Sequence, residues 1–423
     1  MKALRLCVLL LTGFVLCIGV QGQATAEEKA EGHYLKVLEK MEFKADLRLR
    51  HDTQWRETDT EDYARNRERF RLRFGVKAEP TENADVEVRL ASGSGFQNTT
   101  NQSMDGHGTG KDIFIDLAYA SWEPCDYFKI TGGKMKNPLF TFPLVWDPDV
   151  NPEGLSETVK FNPAGSFGVF ANFGQWFIEE LNLKAESDRD PTLLAYQVGL
   201  EVKPAKKVTF QIAGAYYDFM HFDTLQADRG DLDDTDTFIG YNNEHSQQMV
   251  FDNNGELLNE WGCWELGAKL KFKDVLPVPF SIFADYIVND DADVDELVRN
   301  GAIQSDDDGD FGDDPADLMA YDGDDRDSGW LVGFSVGNKK KKGDWYGKYF
   351  YQELEDFAFP AVFVDSDFHG GGTNNVGHYI QGRYFFTNNI QGRCTGFLTE
   401  REDERKDGKK DEDRIQVDII ITF

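Results

Sequence analysis

Arg67, Arg69, Arg71 and Arg73 alternate with Glu68, Phe70, Leu72 and Phe74. A period of two is that of an extended strand, so the four guanidinium groups share one face. Guanidinium stays charged in any protein, and its fork of N–H donors fits carboxylates and other oxyanions. Such a row attracts anions or is locked into salt bridges with acids on neighbouring strands, Asp46, Glu87 and Asp418, and both can hold at once. On a strand that crosses a bilayer, each arginine turned to lipid at mid-membrane would cost about 2–4 kcal/mol. The row would then have to face an interior that holds water.

The elements that would position it are strands throughout. About sixteen strand-like stretches run from residue 42 to residue 423, and every second connection between them is short. Pro80-Thr-Glu-Asn-Ala84, Pro124-Cys-Asp126, Asn162-Pro-Ala-Gly165, Pro204-Ala-Lys-Lys207 and Asn388-Asn389 read as tight turns. Residues 96–110, 138–153, 220–259, 290–327 and 357–375 read as long loops. This alternation fits an up-and-down barrel with turns on one rim and loops on the other. The faces agree: Leu194, Tyr196, Val198, Leu200 and Val202 alternate with Ala195, Gln197, Gly199 and Glu201. A soluble sandwich would give the same local pattern. Aromatic strand ends such as Tyr216, Tyr217, Trp330 and Trp345 suit the interfacial girdles of a membrane barrel better.

Both ends of the chain bear on this. Lys2 and Arg5 precede an apolar run from Leu6 to Val20, and Ala24-Thr25-Ala26 follows, so residues 1–26 are expected to be a secretory signal peptide. Residues 27–41 have helical apolar spacing and are expected to form a short periplasmic helix or tail. At the other end Ile415, Val417, Ile419, Ile421 and Phe423 share one strand face. That segment resembles the closing strand of bacterial outer-membrane β-barrels, whose terminal aromatic is read by the assembly machinery. The expected fold is therefore all-β, a transmembrane antiparallel barrel over 42–423. Closure would set the last strand beside the first. By parity Arg48, Arg50, Arg89, Arg383 and Arg393 would then join the first four arginines on one inward wall.

Acids could face that wall. The connection Asn137-Pro-Leu-Phe-Thr-Phe-Pro-Leu-Val-Trp-Asp-Pro-Asp-Val-Asn-Pro-Glu-Gly154 carries Asp147, Asp149 and Glu153 and is stiffened by four prolines. In place and in its Pro-Glu-Gly tripeptide it resembles the loop that sixteen-strand general porins fold into the channel. An ordinary surface loop is the alternative. Asn66-Arg-Glu-Arg-Phe-Arg-Leu-Arg-Phe-Gly75, Glu87-Val-Arg-Leu-Ala-Ser-Gly93, Ile115-Asp-Leu-Ala-Tyr-Ala120 and Gly132-Gly-Lys-Met135 resemble the "putative porin" family over most of the chain. The resemblance implies a β-barrel channel in a bacterial outer membrane; passive diffusion of small hydrophilic solutes, with the arginine wall setting a preference for anions, is the expectation that the residues add. The apolar strand faces would meet outer-membrane lipid, divalent ions at the acidic 290–327 loop would bridge to lipopolysaccharide, and analogy with general porins adds a homotrimer.

Composition narrows the alternatives. The net charge of −31 argues against nucleic acid as a partner. Nearly half of it lies in one segment, where 16 acids between Asp290 and Asp327 meet only Arg299 and Arg326. Asp306, Asp308 and Asp310 there offer hard oxygen ligands for Ca2+, but the spacing departs from an EF-hand and places Pro315 where its bidentate Glu should be. A solvated loop that loosely gathers divalent ions is the reading adopted, with an ordered calcium site as the alternative. No other cofactor is expected. Cys125, Cys263 and Cys394 are too scattered for a disulfide framework.

Neither a GxSxG turn nor an HExxH pair is present. A barrel enzyme of phospholipase or protease type and a secreted carbohydrate-binding sandwich are the rivals to a channel. A barrel should migrate differently on a denaturing gel before and after boiling. Unchanged migration, with full recovery in a soluble fraction, would favour the sandwich.

Overall fold

The computed structural model describes residues 41–58, 62–93, 98–163, 165–180, 190–222, 260–273, 277–292, 326–402 and 410–423. The expected signal peptide, all but the last residue of the 27–41 segment, and Asp306, Asp308 and Asp310 lie outside them. In chain order the strands are β1 (Glu42–Thr58), β2 (Asp62–Thr81), β3 (Ala84–Ser92), β4 (Gln102–Ser103), β5 (Ile113–Cys125) and β6 (Phe128–Lys134). There follow β7 (Glu153–Phe161), β8 (Phe167–Phe177), β9 (Thr192–Ala205), β10 (Val208–Met220), β11 (Gly262–Phe272) and β12 (Phe280–Asn289). The set ends with β13 (Ser328–Gly337), β14 (Trp345–Leu354), β15 (Asn375–Phe385), β16 (Ile390–Glu400) and β17 (Lys410–Thr422).

Apart from β4, a two-residue bridge against β2, each strand pairs antiparallel with its sequence neighbours, and β1 pairs with both β2 and β17. The sheet is thus a closed barrel of sixteen long strands. Closure reaches the last residue, because the Ala45 N–H donates to the Phe423 carbonyl at 2.8 Å and the Phe423 N–H returns the bond to Ala45 at 3.0 Å. Hydrocarbon offers no substitute for such bonds, so only a sheet without edges can span it. The short rim is built from tight turns. In the turn between β13 and β14, for example, Asp344 Oδ2 accepts the N–H groups of Lys340 and Lys341 at 3.0 and 2.9 Å.

Alternation sorts the side chains as expected. Leu49, Ile415, Val417 and Ile419 lie on the outer face and are 42–50 % exposed. Arg48, Arg50, Gln416 and Asp418 point inward and are buried. The β1–β2 pairing runs on to Glu57 opposite Asp62. Polar partners on both faces, Arg67 with Asp52 at 2.7 Å and Thr53 with Asn66 at 2.8 Å, join the two strands just before that end.

The lumen differs from a simple water-filled tube. The connection between β6 and β7, residues 135–152, and that between β14 and β15, residues 355–374, pack a dry core inside the barrel. Trp146 is its centre, with ring centroids 5.1–5.9 Å from those of Phe363, Phe359, Tyr217 and Trp176. The inner faces of β9 to β14 supply Leu193, Ala215, Phe283, Leu331 and Phe350 to the same core. The second loop was expected only as a surface connection. Its run Phe357-Ala-Phe-Pro-Ala-Val-Phe-Val364 is buried throughout, because so much apolar surface gains more inside than in water.

The outer face should tolerate charge poorly. Val417→Arg is expected to lower the stability of the vesicle-inserted barrel by about 2–4 kcal/mol in denaturant titration. Unaltered stability would contradict the assignment of that face to lipid.

Candidate functional site

The register sets arginine against arginine: Arg48 faces Arg71, Arg50 faces Arg69, and Arg383 faces Arg393. Like charges directly opposite each other repel, and acids from the same strands separate them. Arg50 holds Asp418 through Nε at 2.8 Å, and Arg393 pairs with the same carboxylate. Asp52 is shared by Arg67 at 2.7 Å, Arg414 at 2.7 Å and Arg69 at 3.9 Å. Asp46 holds Arg71 at 2.6 Å, and Asp116 pairs with Arg89. Among the described residues Arg48 and Arg383 are the two arginines of this wall with no carboxylate within salt-bridge distance. Arg48 donates to the Asn101 side chain, and Arg383 to Gln381 Oε1 at 2.6 Å.

Two loops close the other side. From the first, Asp149 accepts from Arg73 at 2.6 Å and from the Thr100 hydroxyl at 2.9 Å. From the second, Asp367 accepts from Arg50 at 2.9 Å and lies 3.0 Å from Arg414. Asp147 joins the loops: its N–H donates to the Phe363 carbonyl at 2.7 Å, and its carboxylate accepts from the N–H groups of Asp149 at 2.7 Å and Ser366 at 3.1 Å. Between this clasp and the arginines lies a cavity of about 280 Å³, lined by Arg48, Arg73, Arg393, Asp149, Asp365 and Asp367 among others. It is a charged slot, positive on the wall and negative on the loops, and among the described residues the apolar core lies beside it.

Burial raises the carboxyls here, and neighbouring arginines decide which stay ionised. Asp149 is held well below the usual carboxylate range because Arg73, Arg71 and Arg48 outweigh burial. For Asp367, Arg414 and Arg50 do the same. Asp147 is pushed up by burial and by the nearby Asp365 and Asp149. Burial, with Asp367 beside it, pushes Asp365 up to about 6.

All nine arginines taken from parity point to the lumen, and Asp147 and Asp149 come to the slot. Glu153 does not. It opens β7 opposite Lys134 and pairs with that residue on the outer face, because it belongs to the strand and not to the loop. Among the described residues no cluster of three or more His, Cys, Asp or Glu is arranged to hold a metal ion. Arg414, Asp365 and Asp367 were not foreseen. Arg414 shares the parity of Gln416 and Asp418, which would have identified it. The two aspartates follow directly on the apolar run at 357–364, whose burial carries them inward.

A family model described as "Putative porin" matches residues 40–261 and 236–423. No match was found among curated proteins. Among solved structures, the high-pH structure of Pseudomonas putida OprB superimposes with a TM-score of 0.53 at 12 % identity, covering 93 % of this chain and 97 % of that one. Salmonella typhi OmpF, in complex with daunomycin, gives 0.47 at 11 % identity over 90 % and 97 % of the two chains. At such identities the OprB superposition speaks for the fold alone.

The slot should titrate. As pH falls through about 6, Asp365 takes up a proton and the loops lose one negative charge. The preference of an ion current for anions should rise across that range, and the step should vanish in Asp365→Asn. Identical profiles in the two proteins would show that Asp365 does not face the ion path.

Proposed function

This chain belongs to the "putative porin" family and is a porin of a bacterial outer membrane, and from that premise we propose that it passes small hydrophilic solutes by passive diffusion, with a preference for anions. The observation that carries this is the slot itself. Its wall is a continuous set of guanidinium groups, its opposite side is two acid-bearing loops, and among the described residues an apolar core packs beside it. A constriction of that kind sorts solutes by size and by charge. The transverse arrangement supports a field across the path, which orients polar solutes.

The same proposal extends to the assembly. Removal of residues 1–26, a helix or tail at 27–41, reading of Phe423 by the assembly machinery and contact with lipopolysaccharide rest on the sequence patterns. A homotrimer has support from the outer face as well. His51 and Glu68 are 2.6 Å apart on the outer side of β1 and β2, and Lys134 pairs with Glu153 on the outer side of β6 and β7. Strand β6, with 7 residues, is shorter than the roughly 9–11 that a spanning strand needs. A second copy covering this face would spare those ion pairs contact with acyl chains.

Planar-bilayer recording of the purified protein tests the reading. Conductance steps with a reversal potential on the anion side of zero in a salt gradient are expected, and closure in groups of three would match the trimer. Replacing Arg69, Arg71 and Arg73 together by Gln should lower the anion-to-cation permeability ratio. An unchanged reversal potential would reject their role in selectivity, and a protein that inserts without conducting would reject the channel.

A further inference from the structure

The lumenal cations fall into two sets that differ in what neutralises them. Most arginines of the wall are held by carboxylates. Lys269, Lys348, Lys339 and Arg383 are not: among the described residues no carboxylate lies within salt-bridge distance of any of them, and each sits on an aromatic ring instead. Lys348 Nζ is 4.9 Å from the centroid of Phe350 and 5.4 Å from those of Phe283 and Tyr379. Lys269 Nζ is 5.8 Å from that of Phe283. Lys339 Nζ and Arg383 Cζ lie 4.9 and 5.6 Å from Tyr346.

The rings are placed by the sheet. Phe283, Gly333, Phe350, Tyr379 and Phe397 follow one another across β12 to β16 in register, forming a belt on the inner wall. Gly333 is needed in the middle, since a Cβ there would come within 2.7 Å of Phe283 Cζ and 2.6 Å of Phe350 Cβ. Phe350 and Tyr379 stack at 4.4 Å with their planes 8° apart. The next inward row carries Lys348 opposite Gln381, and Gln381, Tyr379 and Arg383 line the charged slot. The belt therefore begins where the slot ends.

An ammonium over a ring is attracted by the quadrupole, yet it keeps its N–H donors for an acceptor. Neither Lys348 nor Lys269 donates a hydrogen bond to a described residue, and both side chains are only partly buried. An anion arriving at the paired arginines must displace a carboxylate. At Lys348 and Arg383, whose only described side-chain acceptor is the neutral Gln381 Oε1 on Arg383, it has no carboxylate to displace. We propose that this shelf is a subsite for flat organic anions, in which Lys348 and Arg383 take the carboxylate of an aromatic acid while its ring rests on Tyr379 and Tyr346. The assignment rests on the diffusion reading above and names the class of solute it favours.

Benzoate and acetate, added separately at equal concentration to a conducting channel, separate charge from shape. Benzoate should reduce the chloride current at a concentration well below that needed for acetate. Lys348→Gln should raise the half-blocking benzoate concentration about tenfold, as expected for losing one charge-assisted contact. Lys348→Arg, which keeps the charge, should restore the block. Tyr379→Leu, which removes the ring and no charge, should weaken the block by benzoate and leave acetate unaffected. Lys271→Gln is the control, because that ammonium already donates to Gln211 at 3.0 Å. Equal action of benzoate and acetate on the open channel, or a block indifferent to both Lys348→Gln and Tyr379→Leu, would overturn the subsite while leaving the channel standing. Absence of any conductance would remove the diffusion reading and the subsite with it.

Discussion

Every feature described depends on the sheet having no edge. Thirteen residue pairs join β1 to β17, and the bonds between Ala45 and Phe423 carry the ladder to the end of the chain. Once the ladder closes, every strand has one face toward lipid and one toward a common interior. Alternating sequence then acquires a meaning it lacks in a soluble sandwich. The outward residues meet acyl chains, and whatever points inward has to be solvated, paired or packed.

Two different solutions share that interior. On β9 to β14 many inward side chains are apolar and would be exposed to lumenal water if nothing covered them, and the two inserted loops bury them around Trp146, with the carboxyl groups of Glu265 and Asp285 buried beside them. On β1, β2 and β15 to β17 the inward side chains include the arginines of the wall. Guanidinium groups crowded at strand spacing repel each other, and burying them unpaired costs several kcal/mol. Acids from the same strands and from both loops offset that cost. The loops thus do two jobs with opposite faces: apolar residues anchor them to the dry side, and Asp147, Asp149, Asp365 and Asp367 project toward the wall. Breaking the Asp147 clasp would disturb both, because it links the first loop to the Phe363 carbonyl and the Ser366 N–H.

This division explains what could be read in advance. Strand parity is a strict period of two, and it placed Arg48, Arg50, Arg67, Arg69, Arg71, Arg73, Arg89, Arg383 and Arg393 on the inner wall without any structure. It offered Asp46, Glu87 and Asp418 as partner acids but could not say which arginine each would take, since that depends on register between strands far apart in sequence, such as those of Arg50 and Asp418. Loops have no such period. The 135–152 connection could be placed by its resemblance to known inserted loops, yet Glu153 was misassigned because one residue separates loop from strand there. The 355–374 loop was missed although Phe357 to Val364 is too apolar for a solvated connection. Only the closed barrel shows where such a segment can be buried.

The claim at the centre is that the lumen is half dry and half wet, with the path confined to the arginine side. Cysteine accessibility measures this directly. In a protein with Cys125, Cys263 and Cys394 replaced by Ser, single cysteines would be placed at Thr395 and Gln416 on the slot side and at Ala215 and Leu331 in the dry core. A small charged thiol reagent should modify the first pair rapidly and reduce the ion current, and leave the second pair unmodified in the folded barrel. Equal reaction at all four positions would contradict the account, because it would mean that water and ions occupy the whole cross-section.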